Sequence, residues 1–172
     1  MPELVCDTEA RAEGMARQLV ALLTEKRCTL ALAESCTAGI VADLLARVSG
    51  ASAVLWGSFV CYSPDAKQRM LGLDGGFLRQ HGLVSREVAR EMALHALNRA
   101  GVSVAAAVTG IAGPLGDGSD TPVGTVWIAA AWRGNCREKE LHFQGTRAII
   151  RMQAAAAVLE ELLAAMNLPL DK

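Results

Sequence analysis

The chain has 172 residues, 52 % of them apolar and 20 % charged, with 17 basic side chains against 18 acidic and a formal net charge of −1. That length and apolar content suit one packed domain and exclude a disordered chain. No basic stripe with interleaved aromatics offers a footprint for nucleic acid, and no apolar run is long enough to span a membrane.

The opening, MPELVCDTEAR, lacks the positive and apolar regions of a secretory signal, so the cytoplasm is the expected location. Residues 8–26 place Ala12, Met15, Leu19, Leu22 and Leu23 at helical spacing. CTLALA (28–33) reads as a short buried strand, followed by a helix over 36–48. VLWGSFVCY (54–62) is the next strand, rich in β-branched and aromatic residues. In SPDAKQRML (63–71) Ser63 can cap a helix and Pro64 suits its first turn. RQHGLVS is expected as a loop carrying His81, after which Ser85 caps a helix that Gly101 ends.

VSVAAAVTG (102–110) has the composition of a strand buried on both faces. A Gly/Pro-rich loop, GIAGPLGDGSDTP, leads to a fourth strand, VGTVWIAAAW (123–132). RGN turns the chain tightly into CREKELHF (136–143), whose alternating charges suit a sheet edge. An apolar-faced helix over 147–166 closes the sequence. Alternating helices and strands followed by a late hairpin predict a single three-layer α/β/α domain over 1–172, with a mixed sheet of about five strands.

Five cysteines (Cys6, Cys28, Cys36, Cys61, Cys136) without a C-x-x-C pair argue against a disulfide framework and a zinc site. No metal-ligand spacing such as H-E-x-x-H occurs, and no metal or other cofactor is expected. His81 (in a loop), His95 (inside a predicted helix, with no carboxylate spaced to orient it as a triad requires) and His142 (on the edge strand beside Phe143) are the only histidines, and each reads as a surface or packing residue.

Glu34, Ser35, Cys36 and Thr37 lie where a strand hands over to a helix, the place where α/β sheets meet their ligands. Ser35 reads either as a helix cap or as a nucleophile backed by backbone N–H groups able to hold an oxyanion. A serine nucleophile needs a base, and CYSPDAKQ offers Lys67. With Ser63 as N-cap, Tyr62 and Lys67 fall at the two positions that face each other across a first helical turn. A surface lysine lying over a tyrosine ring is the plainer alternative. To act as a base near neutral pH, Lys67 needs a pKa of about 7–8, a fall of roughly 3 units that costs the charged form ~4 kcal/mol. Burial supplies such a fall, and Glu34 or Asp65 alongside would oppose it. Tyr62 could pass the proton between amine, serine and leaving group.

In order along the chain stand AESCTAG, VCYSPDAKQRMLG, VSREVAREMA, VTGIAGP, PVGTVWIA and FQGTRAIIR. Together they resemble the C-terminal domain of the competence/damage-inducible CinA family, the nicotinamide-nucleotide amidases, over roughly Thr8 to Met166. The resemblance implies a stand-alone form of that domain, deamidating nicotinamide mononucleotide to nicotinic acid mononucleotide and ammonia without metal. It also implies catalysis by Ser35 with Lys67 and Tyr62. A nucleotide-binding relative without activity, and thiol chemistry at Cys36, are the alternatives. Pairing into a homodimer is a further expectation from the family.

Two departures from the family pattern carry expectations of their own. Ala38 stands where a glycine is usual, and its methyl is expected to crowd a backbone N–H offered to substrate. LGDGSDTP replaces a glycine run, which would alter loop shape and ribose contacts. Thr146 can cap the last helix, placing Arg147 and Arg151 on one side near its start, where they read either as a solvated basic face or as a seat for phosphate, with Arg147 the favoured contact. VTGIAGPLG lacks the lysine and spacing of a triphosphate loop. Thr109 and Gly110 either touch substrate or begin a plain connection. The expected substrate contacts are thus Glu34, Cys36, Thr37, Thr109, Gly110, Arg147 and Arg151.

Overall fold

The structure, a computed structural model, describes residues 2–132 and 134–167. Five strands, β1 (Leu30–Glu34), β2 (Leu55–Val60), β3 (Val104–Gly110), β4 (Thr125–Trp132) and β5 (Asn135–His142), form one sheet in the order β2-β1-β3-β4-β5. The first three are parallel, and β4 and β5 run antiparallel, as a mixed sheet requires. Strand β3 is buried along nearly its whole length, whereas β5 alternates between half-buried and exposed positions at the charged edge. Trp132 pairs with Asn135 across a two-residue turn; Arg133, expected in that turn, lies outside the described residues.

Helices α1 (Pro2–Glu25), α2 (Ile40–Ala46) and α6 (Arg147–Met166) cover one face, where Leu30, Leu32, Val104, Val108 and Ile128 point. The other face shows Ala33, Ala105, Ala107, Ala129 and Ala131 to α5 (Arg86–Ala100), which answers with Ala89, Ala93 and Ala96. Small side chains on both sides let that helix sit close to the sheet, so the AAA runs are a packing device. Each strand thus sends alternate side chains to two cores, the period-2 rule of a doubly covered sheet.

Three local expectations change. Helix α1 starts at Pro2 and not near residue 8. The loop assigned to His81 contains a helix, α4 (Gly75–His81), capped by the Asp74 carboxylate on Phe77 N and closed by Gly82 at φ 75°. Its two leading glycines, poor helix formers, hid it. The helix expected from 36 begins only at Ile40, because Ala38 and Gly39 both take positive φ (51° and 97°). Ser63 caps a short turn, α3 (Pro64–Ala66), as predicted, and the chain then widens into a π-helical turn over Lys67–Leu71.

Candidate active site

Sheet register brings the candidate residues together. Glu34 pairs with Val60 on one side and Val108 on the other, so Ser35, Cys61 and Thr109 lie level at the carboxyl ends of β1, β2 and β3. The ladder runs one step further: Ser35 N donates to Val108 O (3.0 Å) and Cys61 N to Glu34 O (2.9 Å). Beside them opens a small cleft of about 200 Å³. Ser35, Cys36, Tyr62, Lys67, Thr109, Gly110, Arg147 and the loop from Ile111 to Asp117 line it.

Lys67 is buried, 1 % exposed, and its Nζ donates to Ser35 Oγ (2.7 Å) and Cys61 O (3.0 Å). Neither carboxylate that could have held its charge does so: Asp65 pairs with Arg69 (2.9 Å), and Glu34 spends its oxygens elsewhere. Burial therefore pushes the Lys67 pKa below its ordinary value of 10.5, against a smaller opposing effect of the Cys61 and Cys36 thiols. The π turn fixes this placement. Its last carbonyl, Leu71 O, meets His95 Nδ1 (2.8 Å) and accepts from Arg99 Nε (2.7 Å), both on α5. Wide turns of this kind recur at functional sites.

Tyr62 lines the same cleft as Lys67 but is not hydrogen-bonded to its amine. Its ring is exposed at the cleft mouth, and its hydroxyl accepts from Arg147 Nη2 (2.5 Å). Arg147 also donates to Gly113 O (2.8 Å), so it bridges the mouth between β2 and the glycine loop. Thr146 caps α6 through Ile149 N (3.4 Å), as predicted.

Several expected substrate contacts turn inward instead. Glu34 is 1 % exposed and accepts from five donors: Thr37 Oγ1 (2.8 Å), the amides of Gly39, Val41 and Ala42 (2.9, 3.1 and 3.0 Å) and Ser58 Oγ (3.1 Å). It caps α2 from beneath and takes the N–H groups that were expected to be free for an oxyanion. Thr37 is fully buried on Glu34 and does not reach the cleft. Arg151 leaves the proposed phosphate seat: its Nε donates to Cys36 O (2.9 Å) and its Nη2 to Thr37 O (2.7 Å). Thr109 lines the cleft but donates its hydroxyl to Leu83 O (2.8 Å). Gly110 lines it too, and a Cβ there would come within 2.8 Å of Thr125 O, so close strand packing already demands glycine.

Cys36 lines the cleft, but burial pushes its thiol up to about 11, so it is a poor nucleophile near neutral pH. Ala38 is exposed and its N–H donates to Ser35 O (3.1 Å). Its own amide is therefore already engaged, and the residue bears the cost of a positive φ. The loop that replaces the glycine run is built on Asp117, whose Oδ1 accepts from Ser119 N (3.0 Å) and Ser119 Oγ (2.6 Å). Among the described residues no group of three or more His, Cys, Asp or Glu is placed to hold a metal ion. No helix among them is long and apolar enough to cross a membrane.

The sequence and the fold both have counterparts. A "CinA-like protein" of Geobacter sulfurreducens is 47 % identical over 141 residues, covering 82 % of this chain and 34 % of its own. The chain thus spans about a third of the length of such relatives. Proteins named "Nicotinamide-nucleotide amidohydrolase PncC" match over nearly their whole length. That of Escherichia coli (strain K12) is 40 % identical over 90 % of this chain and 94 % of its own, and that of Enterobacter agglomerans is 40 % identical over 91 % and 96 %. The crystal structure of the competence/damage-inducible protein CihA from Agrobacterium tumefaciens superposes with a TM-score of 0.87 at 39 % identity, covering 92 % of this chain and 96 % of that one. The family model of the CinA C-terminal domain matches residues 12–166, and the chain belongs to that family.

Proposed function

We propose that the chain is a nicotinamide-nucleotide amidase, hydrolysing the carboxamide of nicotinamide mononucleotide to nicotinic acid mononucleotide and ammonia. The observation that carries this reading is Lys67 Nζ, buried without a carboxylate partner 2.7 Å from Ser35 Oγ. The relatives named as nicotinamide-nucleotide amidohydrolases supply the substrate.

A buried amine that loses its proton presents a lone pair to Ser35, and the 2.7 Å contact reverses so that the hydroxyl donates to Nζ. Ser35 Oγ then attacks the carboxamide carbon while Lys67 takes its proton. Collapse of the tetrahedral intermediate breaks the C–N bond, and ammonia leaves with a proton returned from the site. Tyr62 assists there: its oxygen accepts from Arg147, which leaves its own O–H free to donate. Water next attacks the Ser35 ester with Lys67 again as base, releasing the carboxylate and restoring the serine. None of these steps draws on a metal ion. Arg147, at the mouth and near the start of α6, supplies the charge for the phosphate. The strand end at Thr109 and Gly110 would form the floor under the ring. Unpaired cysteines fit a reducing, cytoplasmic setting.

The test is ammonia release from nicotinamide mononucleotide by the purified chain, with Ser35→Ala and Lys67→Ala as controls. Activity in the wild type and its loss in both variants is the expected result. A wild type that binds the nucleotide yet releases no ammonia overturns the reading in favour of a binding module.

A further inference from the structure

Ser35 sits in a turn held from two sides. Glu34 takes donors from below: the Thr37 hydroxyl and the amides of Gly39, Val41 and Ala42. Arg151 takes acceptors from above: the carbonyls of Cys36 (2.9 Å) and Thr37 (2.7 Å). It reaches them from α6, more than a hundred residues along the chain. Neither side chain is among the cleft-lining residues.

The bonds connect in series. Thr37 O and Ala38 N–H belong to one rigid peptide plane. Arg151 fixes that plane at its carbonyl, and its N–H donates to Ser35 O (3.1 Å). Ser35 O shares the next plane with the Cys36 N–H, which among the described residues faces its own thiol and makes no hydrogen bond to another residue. The plane between, carrying Cys36 O, is held by Arg151 directly. All three peptide units around the Cys36 N–H are therefore pinned, and two of them end on one guanidinium. A donor directly after the nucleophile, at a cleft-lining residue, is where acyl-transfer sites stabilise the developing oxyanion.

We infer that Arg151 is a positioning residue for the amidase reaction proposed above, a clamp that holds the turn so that the Cys36 N–H is preorganised as an oxyanion donor. This rests on Ser35 being the nucleophile, and it removes Arg151 from the phosphate seat. An arginine suits the task because its fixed fork meets two carbonyls at once, whereas a lysine would hold them one at a time.

The test compares Arg151→Met and Arg151→Lys with the wild type in two assays. In steady-state turnover of nicotinamide mononucleotide, the clamp predicts that kcat falls about 10- to 100-fold in Arg151→Met, part of the 10²–10³ assigned to a whole oxyanion donor. KM should stay within about threefold, and the pH profile set by Lys67 should not move. Arg151→Lys should recover part of kcat. The second assay follows phosphonylation of Ser35 by an alkyl fluorophosphonate, read by intact mass. The Ser35 oxygen bonds to phosphorus, the P–F bond breaks, fluoride leaves and the serine proton passes to Lys67. Its rate should fall in the same order, independently of any amide substrate. Unchanged kcat and labelling, or a raised KM with normal kcat, overturn the clamp. So does a variant that unfolds while Arg151→Lys, folded, turns over like wild type. A wild type that neither releases ammonia nor labels overturns the reading beneath it instead.

Discussion

Lysine 67 gives the sharpest test, because its burial is measurable as stability as well as activity. Replacing it with methionine keeps the length and apolar stem but removes the amine. Two effects follow for folding. Cys61 O loses a donor, at a cost of about 1–3 kcal/mol that does not depend on pH. The variant also escapes the penalty of burying an ammonium, and that relief does depend on pH. Well below the lowered folded-state pKa, the amine is protonated folded and unfolded, and the wild type bears the full penalty. Between that pKa and the ordinary 10.5, the unfolded chain binds a proton that the folded chain does not, so raising the pH stabilises the native wild type. Above 10.5 the penalty is gone. The stability of wild type relative to Lys67→Met should therefore climb with pH inside that window, by up to about 1.4 kcal/mol per pH unit. Urea unfolding of both proteins at half-unit steps from pH 6 to 10 reads the slope directly. A flat difference would show that the amine titrates alike folded and unfolded, and would refute the reasoning. Ammonia release should fall about 10²- to 10⁴-fold in the same variant, the range of a lost general base.

Further outcomes follow from the turn and the mouth. Ala38→Gly should stabilise the protein by about 0.5–1 kcal/mol in thermal or urea unfolding, the ~1–2 kcal/mol of left-handed strain less the entropy of glycine. Glu34→Gln leaves a single acceptor oxygen and turns an NH2 group onto amide donors. It should lower stability by about 2–5 kcal/mol, and a loss under ~1 kcal/mol would mean that the carboxylate is not the cap described. Arg147→Ala should raise KM for the mononucleotide about 10- to 100-fold while leaving KM for the unphosphorylated riboside within threefold. Equal effects on both substrates would place the phosphate elsewhere.

What the sequence disclosed of this site depended on whether a role is local. Ser35 and Lys67 could be picked out because each follows a strand, and parallel strands deliver their ends to one place. The Ser63 and Thr146 caps were legible for the same reason, as each acts within four residues. Glu34 was misread because its donors at 39, 41, 42 and 58 converge only after two consecutive positive-φ residues fold the turn back over it. An alanine in that conformation has no sequence signature, and the start of α2 slipped accordingly. Arg151 was misread because periodicity shows which residues share a helix face but not what that face meets. Tyr62 and Lys67 do flank one cap, yet the π turn and the strand end separate them into wall and mouth.

The alanine-lined seat of α5 reaches further than its modest volume suggests. That helix supplies His95 and Arg99 to Leu71 O, and the residues just before it, Leu83 and Val84, form one wall of the cleft. Leu83 is in turn tied to Thr109 at the end of β3. The gap between helix and sheet is therefore a spacer for the amine–alcohol pair, calibrated by methyl groups remote from both partners. One or two extra carbons at Ala105, Ala107 or Ala129 would lift the helix and detune the chemistry without touching a single reacting atom.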